Sequence, residues 1–227
     1  MLNRLFMMLA AGAFLQVAAP GVLPLATPPG VASSADFDAW RTDFERRMKL
    51  AAHNETAIKQ VMDGVAVDER VEKHLVTQAE FTKPLWSYVQ DRLSKYSIDK
   101  GRASMAQNAA LFSAIEARYG APKEIVAAIW GMESGYGAFT GNIDAPAALA
   151  TMAMHLDRRA FAERQLEALI AIVERNYATR AQLKGSWSAA MGHTQFIPTT
   201  YLERAVDWNG DGKKDFWSTP DDALAST

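Results

Sequence analysis

Apolar residues return at three- and four-residue steps along most of this chain, so the sequence predicts a mainly helical protein. Phe37, Trp40, Phe44 and Met48 fall on one face of a helix that follows Asp36. Asn54 is placed to cap a second helix carrying Ile58, Val61 and Met62, with Asp63-Gly64 as its stop. Residues 65–80 read two ways, because Val65 and Val67 alternate whereas Val71 and Leu75 step by four. Pro84 is placed to open a further helical segment with Leu85, Trp86, Tyr88 and Val89. One continuous helical pattern runs from Ile98 to Tyr119, with Met105, Ala109, Phe112 and Ile115 on one side and Gly120 as C-cap. Pro122 opens the next helix, through Ile125, Ile129 and Met132. Asp144 and Asp157 are N-cap candidates, the first for a helix with Leu149 and Met152, the second for one with Phe161, Leu166, Leu169, Ile170 and Val173. The stretches near 140 and at 185–197 leave room for one or two short strands. No internal repeat interrupts this order.

Composition narrows the class. With 227 residues, 49% of them hydrophobic, the chain can bury a substantial core of one or two domains. Residues 1–35 read as an export signal: a basic start at Arg4, an uncharged apolar run from Leu5 to Ala19, and small residues at Ser33 and Ala35 before Asp36. The run is short for a membrane span; an uncleaved N-terminal anchor is the alternative. Removing it takes away one base and no acid, which moves the net charge from −2 to −3. No basic patch is visible, so nucleic acid is excluded as a natural partner. Cysteine is absent, which removes disulfides, thiolate chemistry and a lipid-attachment site together. The sequence therefore predicts an exported chain with no stable membrane insertion after cleavage; the periplasm is its expected location and a monomer its expected state.

Candidate chemistry centres on Ile129-Trp130-Gly131-Met132-Glu133-Ser134-Gly135-Tyr136-Gly137. Here a carboxylate ends an apolar run and opens a glycine-rich turn. Burial beside Trp130 and Met132 would disfavour its charged form, and the glycines leave room for a substrate, as a general acid requires. An ordinary surface Glu at a helix end is the competing reading. No matching second carboxylate presents itself, since Asp144 and Asp157 both sit at helix N-caps. His53, His74, His155 and His193 are scattered and fall in no nucleophile or zinc motif, so surface or structural roles suit them. The track Gly185-Ser186-Trp187-Ser188-Ala189-Ala190-Met191-Gly192-His193-Thr194-Gln195-Phe196-Ile197-Pro198 sets hydroxyl, amide and aromatic groups on a tight path, as a glycan groove needs.

These two segments, in this order and spacing, resemble the lytic murein transglycosylases of the membrane-bound B type, glycoside hydrolase family 103. The resemblance implies a lysozyme-like α-rich domain acting on the peptidoglycan strand of alternating N-acetylmuramic acid and N-acetylglucosamine. It implies Glu133 as sole acid/base, Ser186 and Gln195 as substrate contacts, and Tyr88 as a groove aromatic, with no cofactor for catalysis. The expected product carries a 1,6-anhydromuramyl end; a hydrolytic muramidase and a weakly active peptidoglycan-binding scaffold are the alternatives. The expected organisation is a signal at 1–35, an N-terminal helical segment at 36–97 packing on the catalytic domain, and a lysozyme-like catalytic domain at 98–227. Family members continue well beyond the equivalent of Thr227, so that domain is expected to be C-terminally truncated, with its groove open on one side. Ala189 stands where the family usually has Gly.

Asp207-Trp208-Asn209-Gly210-Asp211-Gly212 fits the opening of an EF-hand loop. Asp207, Asn209 and Asp211 would turn oxygens toward a hard cation, Lys213 would add its backbone carbonyl, and calcium suits such a loop. Ser218 stands where a bidentate Glu normally closes the shell. In the resembling family a later Asp does so; Asp222 is the best match, with Asp215 and Asp221 as further candidates. The expected role is structural, and a solvated turn is the alternative.

Overall fold

The computed structural model describes residues 34–76, 86, 87, 90 and 93–227. Ten α-helices with both ends described and one minimal sheet can be delimited among them. In chain order they are α1 (Ser34–Leu50), α2 (Glu55–Met62), α3 (Glu69–Val76), α4 (Lys95–Gln107), α5 (Ala109–Tyr119), α6 (Lys123–Ser134), β1 (Ile143–Asp144), α7 (Ala145–Ala153), α8 (Leu156–Glu174), β2 (Lys184–Gly185), α9 (Pro198–Arg204) and α10 (Asp221–Ser226). The mainly helical class holds. The signal at 1–35 falls almost wholly outside the described residues, as do Pro84 and Tyr88.

The face of α1 read from the sequence is the buried one: Phe37, Trp40, Phe44 and Met48 all enter the main core. Each such side chain contributes about 1.5–3 kcal/mol when fully removed from water. They share that core with Ile58, Val61 and Met62 of α2 and with Leu166, Leu169, Ile170 and Ile172 of α8. Polar contacts set the crossing. Glu163 of α8 accepts from Trp40 Nε1 at 2.8 Å and from both terminal nitrogens of Arg47 at 2.9 Å. Further contacts link His53 to Glu174 at 3.1 Å and His155 to Glu72 at 3.0 Å.

Asn54 caps α2 as expected, its Oδ1 accepting from the amides of Thr56 and Ala57. Asn54→Ala should lower stability by about 1 kcal/mol, read as a fall in thermal midpoint. Asp144 likewise caps α7 through the Ala147 amide at 3.1 Å.

Two expectations need correction. The pattern from Ile98 to Tyr119 is two helices, broken at Asn108 (φ −111°, ψ 27°), whose side-chain amide donates to the Ser104 carbonyl at 2.9 Å. The apolar positions run on through the break, so periodicity could not reveal it. Asp157 does not cap α8: His155 holds that position, and Asp157 is exposed in the first turn. Among the described part of the ambiguous residues 65–80 lies the short helix α3.

The strands fall where room was left for them. β1 and β2 pair antiparallel, Ile143 opposite Gly185 and Asp144 opposite Lys184. Further bridges join Gly185 to Met191 and Met191 to Phe196. The chain from 184 to 198 is thus folded on itself and tied to the segment that follows α6. Among the described residues, no helix is long and apolar enough to cross a membrane.

Candidate active site

Glu133 is the penultimate residue of α6. Gly135, in the left-handed region at φ 58°, ends the helix, and its amide bonds back to Gly131 O at 3.0 Å. Val126, Ala127 and Trp130 face a second core with Phe112, Ile115, Leu224 and Ala225. Met132 is 40% exposed, so only Trp130 of the two expected apolar neighbours is buried. Glu133 lies between these sides and is half-buried.

The last turn of α6 is held by the 184–198 track. Trp130 Nε1 donates to His193 Nδ1 at 3.1 Å. Ser134 Oγ donates to the His193 carbonyl at 2.5 Å and accepts from the Gly137 amide at 2.9 Å. Because Nδ1 accepts from the indole, the ring carries its proton on Nε2. Burial holds the His193 pKa below the ordinary imidazole value, against the opposing pull of Asp215 and Asp221. His193 is therefore a neutral structural part, of the kind the scattered histidines were expected to be.

Gly137 makes this contact possible. Its φ is +77°, and a Cβ there would stand 2.4 Å from His193 Cε1 and 2.5 Å from Nδ1. Gly137→Ala should destabilise the fold by about 2–4 kcal/mol, overpacking adding to left-handed strain. Urea unfolding would show it as a lower midpoint at unchanged slope.

Tyr136 is a part the sequence reading missed. It is non-glycine at φ 62°, and its ring meets Trp130 edge-on at 5.7 Å. Its hydroxyl lies against Gly101 of α4 and Gly131 of α6, where any Cβ would come within 2.5 Å. Burial raises its pKa, so it remains a phenol. The available signal was a glycine inside each of two helices, a choice that costs about 0.5–1 kcal/mol apiece relative to Ala unless something packs there.

Ser186 and Gln195 both lie half-buried on the folded track. Ser186 Oγ is 3.1 Å from Ser188 Oγ and accepts from the Ala190 amide at 3.2 Å. Gln195 Nε2 donates to Thr140 O at 3.1 Å and Gly192 O at 2.8 Å, which fixes the amide and turns Oε1 away as an acceptor. Gln195 (φ 51°) and Ala189 (φ 60°) are left-handed. That conformation explains why Gly suits position 189, and the Ala189 methyl is fully buried. Trp187 stacks on His74 at 5.8 Å and 14°, packing α3 against the track.

The second-carboxylate candidates have other partners. Asp144 caps α7 and receives both terminal nitrogens of Arg180, at 2.5 and 2.9 Å. Asp157 stands 78% exposed.

The acidic loop is a nest of internal bonds. Asp207 accepts from the amides of Gly210, Asp211 and Gly212, Asn209 Oδ1 from that of Asp211, and Asp211 Oδ1 from that of Lys213. Asp222 is buried and accepts from Trp208 N at 2.8 Å and Asp215 N at 2.7 Å. Burial raises its pKa; those amides oppose the rise, and the charges of Asp207 and Asp211 add to it. Asp215 is instead held low: burial pushes up, but the amides of Ser218 and Trp217 and the Ser218 side chain outweigh it. Among the described residues no three His, Cys, Asp or Glu side chains stand close enough to grip a metal. The donor chemistry nevertheless fits a hard cation: every candidate ligand offers oxygen, and Asp207, Asp211 and Asp222 repel one another without a positive charge between them.

Comparison with known proteins gives the same direction. The model of the transglycosylase SLT domain matches residues 36–227. Membrane-bound lytic murein transglycosylase B of Escherichia coli (strain K12) is 38% identical over 109 residues, which are 48% of this chain and 30% of that protein. The structure of SltB3 from Pseudomonas aeruginosa in complex with NAG-NAM-pentapeptide superposes with a TM-score of 0.80 at 39% identity, over 84% of this chain and 51% of that one. The Escherichia coli lytic transglycosylase SLT35, in complex with calcium, gives 0.73 at 25% identity, over 82% and 60%. The chain thus spans about half of SltB3 and less than a third of transglycosylase B.

Proposed function

Because this chain belongs to the transglycosylase SLT domain family, with the lysozyme-like fold of its structural neighbours, we propose that it is a lytic transglycosylase of peptidoglycan. It cleaves the β-1,4 bond between N-acetylmuramic acid and N-acetylglucosamine. The observation that carries this reading is the setting of Glu133: half-buried, at a helix end locked by Trp130 and Ser134 onto the track that holds Ser186 and Gln195.

The chemistry follows from one carboxyl group. Glu133, protonated, gives its proton to the glycosidic oxygen as the bond to muramyl C1 breaks. The departing N-acetylglucosamine leaves with a free hydroxyl, and positive charge develops at C1. Glu133, now a carboxylate, takes the proton of the muramyl O6 hydroxyl while that oxygen bonds to C1. The 1,6-anhydro ring closes, Glu133 is again protonated, and no water is consumed. A second carboxylate has no task here, which agrees with the engagement of Asp144 by Arg180 and the exposure of Asp157. Ser186 and Gln195 serve as polar contacts to the sugars, Gln195 through Oε1. Tyr88 is proposed as a groove aromatic on the resemblance alone.

Residues 36–97 are proposed to brace the catalytic part, 98–227, and removal of 1–35 to deliver a monomer to the periplasm. Asp207, Asn209, Asp211, the Lys213 carbonyl and Asp222 would hold calcium. When bound it would neutralise their charge and steady the C-terminal side, with no contact to the reacting atoms.

Product mass tests the reading. Purified sacculi digested by the protein should release muropeptides lighter by one water than those a hydrolytic muramidase releases. Products that have gained water would assign hydrolysis instead.

A further inference from the structure

We infer that Phe139 is a stacking platform for a sugar ring beside Glu133, a specificity element resting on the glycan-cleaving reading above. Its ring is 80% exposed. A single exposed apolar residue is ordinary on a protein surface, but the backbone that presents this one is fixed. The Phe139 amide donates to Ser134 O at 2.9 Å, and the next residue, Thr140, is held through its carbonyl by Gln195 Nε2 at 3.1 Å. Two residues earlier, the Gly137 amide is held by Ser134 Oγ. The backbone that carries the ring is therefore held at residues 137, 139 and 140. The ring lies over Gly135, where an added Cβ would stand 3.6 Å from Phe139 Cδ2.

This placement sets a flat apolar face just beyond the helix end that carries Glu133, with exposed Met132 immediately before it in sequence. Gln195, proposed above as a sugar contact, is bonded to the same turn through the Thr140 carbonyl. A pyranose presents one face of C–H groups and a rim of hydroxyls. Such a ring needs an aromatic plane with polar groups at its edge, and a preordered platform loses little freedom on binding.

The test uses binding, so that it stands apart from turnover. Glu133→Gln is titrated with soluble, uncross-linked wall glycan strands, alone and with Phe139→Ala, Phe139→Leu or Phe139→Trp added. Phe139→Ala and Phe139→Leu should weaken the dissociation constant about tenfold, while Phe139→Trp should stay within about twofold. All should keep the parent melting temperature. An unmoved constant in Phe139→Ala, rescue by Leu as good as by Trp, or no glycan uptake by Glu133→Gln itself would overturn the platform. If the wild type makes anhydro product yet these constants do not move, the platform alone fails. If they move and the product has gained water, the proposed reaction alone fails.

Discussion

Glu133→Gln should leave a folded protein that releases no 1,6-anhydromuramyl ends from purified wall glycan. The substitution keeps shape and some hydrogen-bonding capacity but can neither give the proton to the glycosidic oxygen nor take one from O6. General acid–base catalysis typically contributes on the order of 10²–10⁴-fold. Here one group serves both half-reactions, so the upper part of that range is expected. The substitution keeps the side chain's size at a half-buried position, so stability should change by about 1 kcal/mol or less. Release of anhydro product by mass, beside a thermal melt, checks both halves. Turnover equal to the wild type would remove Glu133 from the chemistry.

Asp144→Asn separates this site from the nearby carboxylate. It removes the charge that pairs with Arg180, while Asn can still cap α7, and leaves the proposed chemistry untouched. A modest loss of stability with anhydro product still formed is the expected pattern. Loss of product with stability intact would place a second carboxylate in the reaction.

What the sequence made legible was local. Phe37, Trp40, Phe44 and Met48 show the buried face of α1 because helical spacing alone selects it. Asn54, Asp144 and Gly120 mark helix ends because each meets a need of the adjoining backbone. The break at Asn108 escaped because the apolar pattern runs through it and a side-chain bond to Ser104 makes the stop. Asp157 misled because a good capping residue stood two positions after the true cap, His155.

The site divides in the same way. Glu133 and the 185–198 track stand out by residue type and spacing. The contact that unites them does not, because Trp130 and His193 are 63 positions apart and neither shows its partner locally. Tyr136 was hidden for a related reason: its hydroxyl fills space left by Gly101 and Gly131, a relation that exists only once α4 and α6 pack. Left-handed Ala189 and Gln195 likewise follow from the folding of the track, not from local preference.

Asp222→Ala should cost roughly 2–4 kcal/mol of stability, a large share of the about 5–15 kcal/mol that holds a typical fold. The buried carboxylate accepts from Trp208 N, inside the acidic loop, and from Asp215 N, just beyond it. Each stranded amide costs roughly 1–3 kcal/mol, offset in part by relief of the buried charge. The effect reaches the site because α10, which begins at Asp221, places Leu224 and Ala225 in the same core as Trp130. The pH dependence gives the sign expected of the proposed calcium contribution. The folded pKa of Asp222 lies above the ordinary carboxyl value of 3.8. Its contribution to stability without cation is thus fully present below that value and is lost as pH rises through the folded pKa. Calcium needs the ionised form, so its stabilisation should grow over the same window and reach about 2.7 kcal/mol at a hundredfold excess over its dissociation constant. Melts of wild type and Asp222→Ala, each with chelator and with calcium at neutral and acid pH, measure this directly. The wild type should gain stability from calcium at neutral pH and little in acid, and the variant should gain little at either. An equal calcium shift in both proteins would place the ion elsewhere and leave Asp222 as a staple of the loop alone.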